Sequence, residues 1–154
     1  MSGSSKEMDA KKAIDVLNGI LELELAGVVR YTHYSLMIFG HARIPIVKWM
    51  REQAEEAITH AIAAGEHITS LGGHPSLKIG KLLETHRHDI NQILQEALEH
   101  EREGIKLYRA LLELAQGRSV LLEDYARQMI SSEEMHLSEI EKMLRPPGKL
   151  EPAR

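Results

Sequence analysis

With 154 residues, 43% hydrophobic and 27% charged, the chain is sized for one domain with a substantial core. A formal net charge of −4 leaves no nucleic-acid footprint, no apolar run is long enough for a bilayer, and the lack of cysteine excludes disulfides, thiolate metal sites and thiol nucleophiles. Aromatics are only 4%, so the core must be Leu, Ile, Ala and Met, a composition suited to packed helices rather than a β-sandwich.

Residues 1–8 read as a flexible polar tail without a signal-peptide apolar region, and a cytoplasmic location is expected. A first helix is predicted over residues 9–41 and a second over 45–71, with Pro45 in its first turn and Gly72-Gly73-His74-Pro75 stopping it. A third helix is predicted over 85–116, ended by Gly117, and a fourth over 119–144, N-capped by Ser119 and stopped by Pro146-Pro147-Gly148. The bundle thus spans residues 9–145, with a short tail at 146–154. The first and last connections are short and imply antiparallel hairpins. The middle one, around residues 74–84, is long enough to cross the bundle. The expected class is an all-α four-helix bundle with one long crossover between the second and third helices.

Ionisable residues stand within the apolar stripes. The first helix presents Ile14, Leu17, Leu21, Glu24, Val28, Tyr31, Ser35 and Ile38 on one face, with Glu24 its only charge. The third presents Leu94, Ala97, Glu101, Gly104, Tyr108 and Leu111, again with one Glu. The fourth carries Glu133 and His136, three apart and therefore on one face, between Met129 and Ile140. The two halves echo each other. Glu24 and Glu101 each precede a Tyr by two turns, and His60 and His136 follow them by 36 and 35 positions. On the second helix Ala57 stands three before His60, and Glu56 four before it. Glu56 is the expected partner of His60, reached through a local π-bulge.

Buried carboxylates must be paired, neutralised or bound to metal. Four carboxylates and two imidazoles suit two divalent ions, iron with manganese as the alternative. The expected metal ligands are Glu24, Glu56, His60, Glu101, Glu133 and His136, with Tyr31 and Tyr108 hydrogen-bonding them or supplying an electron. A metal-free ion-pair network is the competing reading, but it has more carboxylates than cations to balance them.

Other polar and apolar positions read more plainly. His67 is a polar residue near the bundle end, and His33, His41 and His100 are peripheral. His86-Arg87-His88 is a solvated helix start, and Glu99, Glu103 and Glu134 are solvated. Met129 and Met143 are core. Leu23, Leu25 and Met37 read as a second, outward apolar face that implies a symmetric dimer across the first two helices.

Across nearly the whole chain these features resemble the ferritin-like superfamily, and bacterioferritin most closely. The resemblance is carried by residues 24–31 (ELAGVVRY), His60-Ala61, residues 71–75 (LGGHP), Glu101 with Tyr108, and residues 133–136 (EEMH). It implies terminal ligands at Glu24 and Glu101, histidine ligands at His60 and His136, and a bridging carboxylate at Glu133. It further implies Fe(II) oxidation by O2 or peroxide for iron storage or detoxification, in a homodimer or higher homo-oligomer. The pattern's second bridge falls on Ala57, its haem-binding Met on Ile58, so no haem is expected, and its fifth helix on the short tail. These departures keep open a di-iron or di-manganese oxidase or peroxidase of small oligomeric state. A non-catalytic helical interaction module is a third possibility.

Overall fold

A computed structural model describes residues 7–151. The expected tail at 1–8 falls mostly outside this range, as do residues 152–154. The fold is the all-α bundle expected, α1 (Ala10–Met37), α2 (Arg43–Ser70), α3 (Ile90–Ala115) and α4 (Val120–Leu144). Hairpins α1–α2 and α3–α4 are joined by the long crossover, and α1 also packs along α3.

The helix ends show why each element starts and stops. Asp9 caps α1 by accepting from the Lys12 amide. This helix ends four residues before the expected 41, because Arg43 reaches back to the Ile38 carbonyl at 2.7 Å while Gly40 turns the chain at φ +99°. Helix α2 closes in a Schellman motif, with Gly72 at φ +82° and the Gly73 amide on the Ile68 carbonyl at 2.9 Å. The third helix begins at Ile90 rather than 85, capped by Asp89, so residues 85–89 belong to the crossover. Ser119 caps α4 as expected.

The crossover runs along α1. Asn18 accepts from the Ser76 amide at 2.8 Å and donates to the His74 carbonyl. The Gly80 amide donates to the Glu22 carbonyl at 2.8 Å, and Glu84 meets His33 further along the helix. Two apolar clusters fill the bundle. One, around Tyr31, Met50, Leu94 and Ile140, lies towards the end where α1 turns into α2. The other, around Leu17, Ile68, Tyr108, Leu111 and Ala126, lies towards the opposite end. Met8, Leu25 and Met37 pack against these clusters and Leu23 is half-buried. The three apolar residues expected to face a partner are thus partly covered by their own chain.

Gly80 lies so close to α1 that a Cβ there would stand 2.8 Å from the Glu22 carbonyl oxygen, whereas one on Gly65, within α2, would meet nothing. We expect Gly80→Ala to cost about 1–3 kcal/mol in urea denaturation. Gly65→Ala is expected to add about 0.5–1 kcal/mol.

Candidate metal centre

Between the two apolar clusters lies a layer of ionisable groups. Glu24, Glu101 and Glu133 are 5%, 7% and 3% exposed, and His60 and His136 are largely buried beside them. Each comes from a different place in the bundle: Glu24 from α1, His60 from α2, Glu101 from α3, Glu133 and His136 from α4. Helical spacing brings them together. Glu133 and His136 share a face, while Glu24 and Glu101 stand in the stripes along which α1 and α3 are buried.

Glu133 is the centre of the group. Its Oε1 lies 3.7 Å from His60 Nδ1 and its Oε2 3.7 Å from His136 Nδ1, so its two oxygens face different histidines. Two donor groups capable of holding a metal ion emerge, Glu24–His60–Glu133 and Glu101–Glu133–His136, sharing Glu133. Oε2 of Glu133 is buried without a hydrogen-bond partner. An orphaned carboxylate oxygen facing imidazole nitrogen fits a cation well and fits an apolar core badly. The donor set therefore suits two divalent ions.

The tyrosines cross over. Tyr31 on α1 donates to Oε1 of Glu101 on α3, and Tyr108 on α3 donates to Oε1 of Glu24 on α1 at 3.0 Å. Each leaves the other carboxylate oxygen free to face the cavity, which repeats the sequence echo in three dimensions.

Glu56 joins the group by a different route from the one expected. Helix α2 is uninterrupted α-helix, with no π-bulge, and the Glu56 side chain reaches α4, with Oε2 2.9 Å from His136 Nε2. It is 49% exposed, so it stands at the rim of the centre, while Ala57 and His60 face inward.

His100, expected at the surface, is 6% exposed. The absence of a side chain on Gly27 makes room for it, since a Cβ there would stand 3.0 Å from His100 Nε2. Arg30 donates to its Nδ1 at 3.2 Å and also to Tyr34 and the Glu96 carbonyl. Because arginine only donates, Nδ1 accepts, and the proton of the neutral ring sits on Nε2. Burial, and then Arg30, pull this imidazole down to about 4. The missed signal was a pair of residues, Gly27 and Arg30, far from His100 in sequence. Leu23 and His100 line both the carboxylate cavity and the groove outside it beneath the crossover. His67 meets the Tyr125 ring at 4.3 Å between centroids, tilted by 48°, and Glu99, Glu103 and Glu134 form exposed ion pairs as expected, whereas His86-Arg87-His88, expected at a helix start, lies in the crossover because Asp89 caps α3.

Burial dominates the electrostatics. It raises Glu101 well above the usual carboxylate range, with Glu133 beside it adding to the effect, and it raises Glu133 to about 7. Burial works against charge on His60, but the Glu24 carboxylate 3.5 Å away, with Glu56 and Glu101, outweighs it and the imidazole is raised.

A carboxyl raised on folding holds its proton more tightly in the native state. Its stabilising contribution is complete below the unfolded value and is lost as pH rises through the folded one. For Glu133 that window runs from 4.5 to about 7. We expect chelator-treated wild type to lose stability relative to Glu133→Gln across this range, read by denaturant unfolding at successive pH values. A difference that stays flat or moves the other way would refute the assignment.

The chain matches the family model for the ferritin-like domain over residues 14–146. Among solved structures it is similar to a ferritin-like, diiron-carboxylate protein from Bacillus anthracis, with 26% identity, TM-score 0.84, and coverage of 94% of this chain and 100% of the other. The bacterioferritin of Rhodobacter capsulatus, described with a metal-free dinuclear site and a haem iron, aligns at 25% identity and TM-score 0.75, over 87% of this chain and 84% of its own. A dodecameric, bacterioferritin-related thioferritin from Bacteroides fragilis aligns at 25% and 0.81, over 90% and 87%. Comparison with curated proteins gives no match. With its fold, its carboxylate layer and the family model in agreement, the chain belongs to the ferritin-like family.

Proposed function

We propose that this protein is a dinuclear iron protein that oxidises Fe(II) with O2 or peroxide, in iron storage or detoxification. The observation that carries the reading is Glu133, buried at the centre, with one oxygen towards each histidine. In this reading Glu24 and His60 hold one ion, Glu101 and His136 the other, and Glu133 lies between them. Glu56, paired with His136 Nε2 at the rim, would turn from that contact to reach the second ion. The bound ions supply one-electron redox chemistry that the side chains lack.

The protein's own part is positioning. Tyr31 and Tyr108 each fix one oxygen of a carboxylate and aim the other into the cavity. The apolar clusters on either side limit water and strengthen the electrostatics of the layer between them. Glu56, half in solvent and on a flexible side chain, is placed to meet an incoming Fe(II) ion.

A di-iron or di-manganese oxidase or peroxidase is the second reading. It is favoured by Ala57, which puts a methyl group where the family pattern has a second bridging carboxylate. Ile58 is 47% exposed where the pattern places a haem-binding Met. A homodimer or larger homo-oligomer belongs to either reading. Val29, Ile58 and Ile62 expose apolar surface on α1 and α2, in place of the residues first assigned to a partner. No helix among the described residues is long and apolar enough to cross a membrane, and a cytoplasmic location is part of the proposal.

Metal analysis of protein loaded with Fe(II) should return two ions per chain. Stopped-flow oxidation should be fast in wild type and slower by more than about 100-fold in Glu133→Ala, beyond the effect of losing an outer-shell partner. Glu56→Ala should retain one tight ion and slow the reaction less. Equal rates in Glu133→Ala and wild type would reject the reading. Peroxide turnover by a manganese-loaded small oligomer that retains no ferric core would favour the second one.

A further inference from the structure

A second group of metal-binding side chains lies outside the buried centre, where the crossover meets α1 and approaches α3. Glu84 is its hub. Its Oε2 pairs with His33 Nε2 on α1 at 2.9 Å. Its Oε1 faces His88 Nε2 at 3.2 Å and His86 Nδ1 at 3.9 Å. Glu84, His86 and His88 each offer a ligand atom, all within 4.8 Å of one another.

We propose that Glu84, His86 and His88, with His33 orienting the carboxylate, form a separate surface site for a borderline divalent cation such as Zn2+. Two donors about 2.1 Å from a tetrahedral ion lie about 3.4 Å apart, so the 3.2 and 3.9 Å separations need only small side-chain movements. Two imidazole nitrogens converge on one carboxylate oxygen. A single oxygen does not need both as hydrogen-bond donors, whereas a cation takes up both imidazole lone pairs and the negative charge together.

The donor chemistry separates this site from the buried one. The buried layer is carboxylate-rich, which suits iron and manganese. The surface group has two imidazoles to one carboxylate, which favours ions later in the divalent series. The carboxylate's other oxygen is held by His33, a partner of the kind that fixes metal ligands in place. The half-exposed side chains leave further positions open to water.

The placement gives the ion a structural consequence. Along α1 the crossover is tied by hydrogen bonds at Asn18 and Glu22, and its last tie, Glu84 to His33, is the charged one. An ion bound there fixes Glu84 and, through its pairing with His33, steadies the crossover against α1 just before α3 begins. Because His33 holds the carboxylate in place only in the folded arrangement, the native state binds the ion more tightly than the unfolded chain and is stabilised by the difference.

The site is tested on the full chain, independently of any iron chemistry. Wild type and His86→Ala/His88→Ala, whose two changes lie outside the buried centre, are titrated with Zn2+ by calorimetry and with Co2+ by visible absorption. Wild type should bind one more ion per chain than the double variant, give a ligand-field band that the variant lacks, and gain Tm with Zn2+ where the variant gains less. His33→Ala should bind the same ion about 10–100-fold more weakly. Equal stoichiometry in wild type and the double variant, or an extra ion that binds only at millimolar metal, would overturn the proposal.

Discussion

The cost of placing negative charge in a dry interior is the constraint on which this molecule turns. Three carboxylates share a layer a few ångströms thick, walled on both sides by apolar clusters. Like charges in low dielectric cannot all ionise unaided, and burial raises Glu101 well above the usual carboxylate range and Glu133 to about 7. The same feature that makes the metal-free layer expensive suits it to cations. Two divalent ions would cancel the repulsion, occupy the orphaned oxygen of Glu133 and convert an electrostatic liability into a cross-link between helices.

The four-helix architecture is the economical way to meet that constraint. A long helix carries one acidic group in the middle of an otherwise apolar stripe at modest local cost. Hairpin pairing then brings several such groups to one level. The pseudo-twofold arrangement divides the work evenly, because each tyrosine supports the carboxylate of the other hairpin. Removing one tyrosine would therefore disturb a carboxylate contributed by the opposite half of the chain.

The crossover adds a second level of organisation. It lies against α1 closely enough that Gly80 admits no side chain, and it carries Glu84 to His33 on the outer face of the bundle. The two sites differ in the way their surroundings dictate. Inside, charge is scarce to solvate, and several carboxylates need cations. Outside, water screens the single carboxylate, which the His86 amide and then His33 draw down to about 2.

Much of this was legible in the sequence, because helical periodicity is local. The four helices, the long second connection, and the inward Glu24, Glu101 and Glu133 follow from spacing along each segment. What depends on two distant segments meeting was not. His100 looks peripheral until Gly27 leaves space for its ring and Arg30 supplies a donor. Glu56 was assigned to His60 on its own helix, yet its flexible side chain finds His136 across the bundle. Glu84, His86 and His88 lie within five residues of one another, but only the path of the crossover brings them to His33 on α1. Sequence alone determined which faces are buried and which charges must go inside with them, since burial follows each helix's own period. Tertiary structure alone decided which of those charges meet, since contact across helices depends on how side chains fill the space between them.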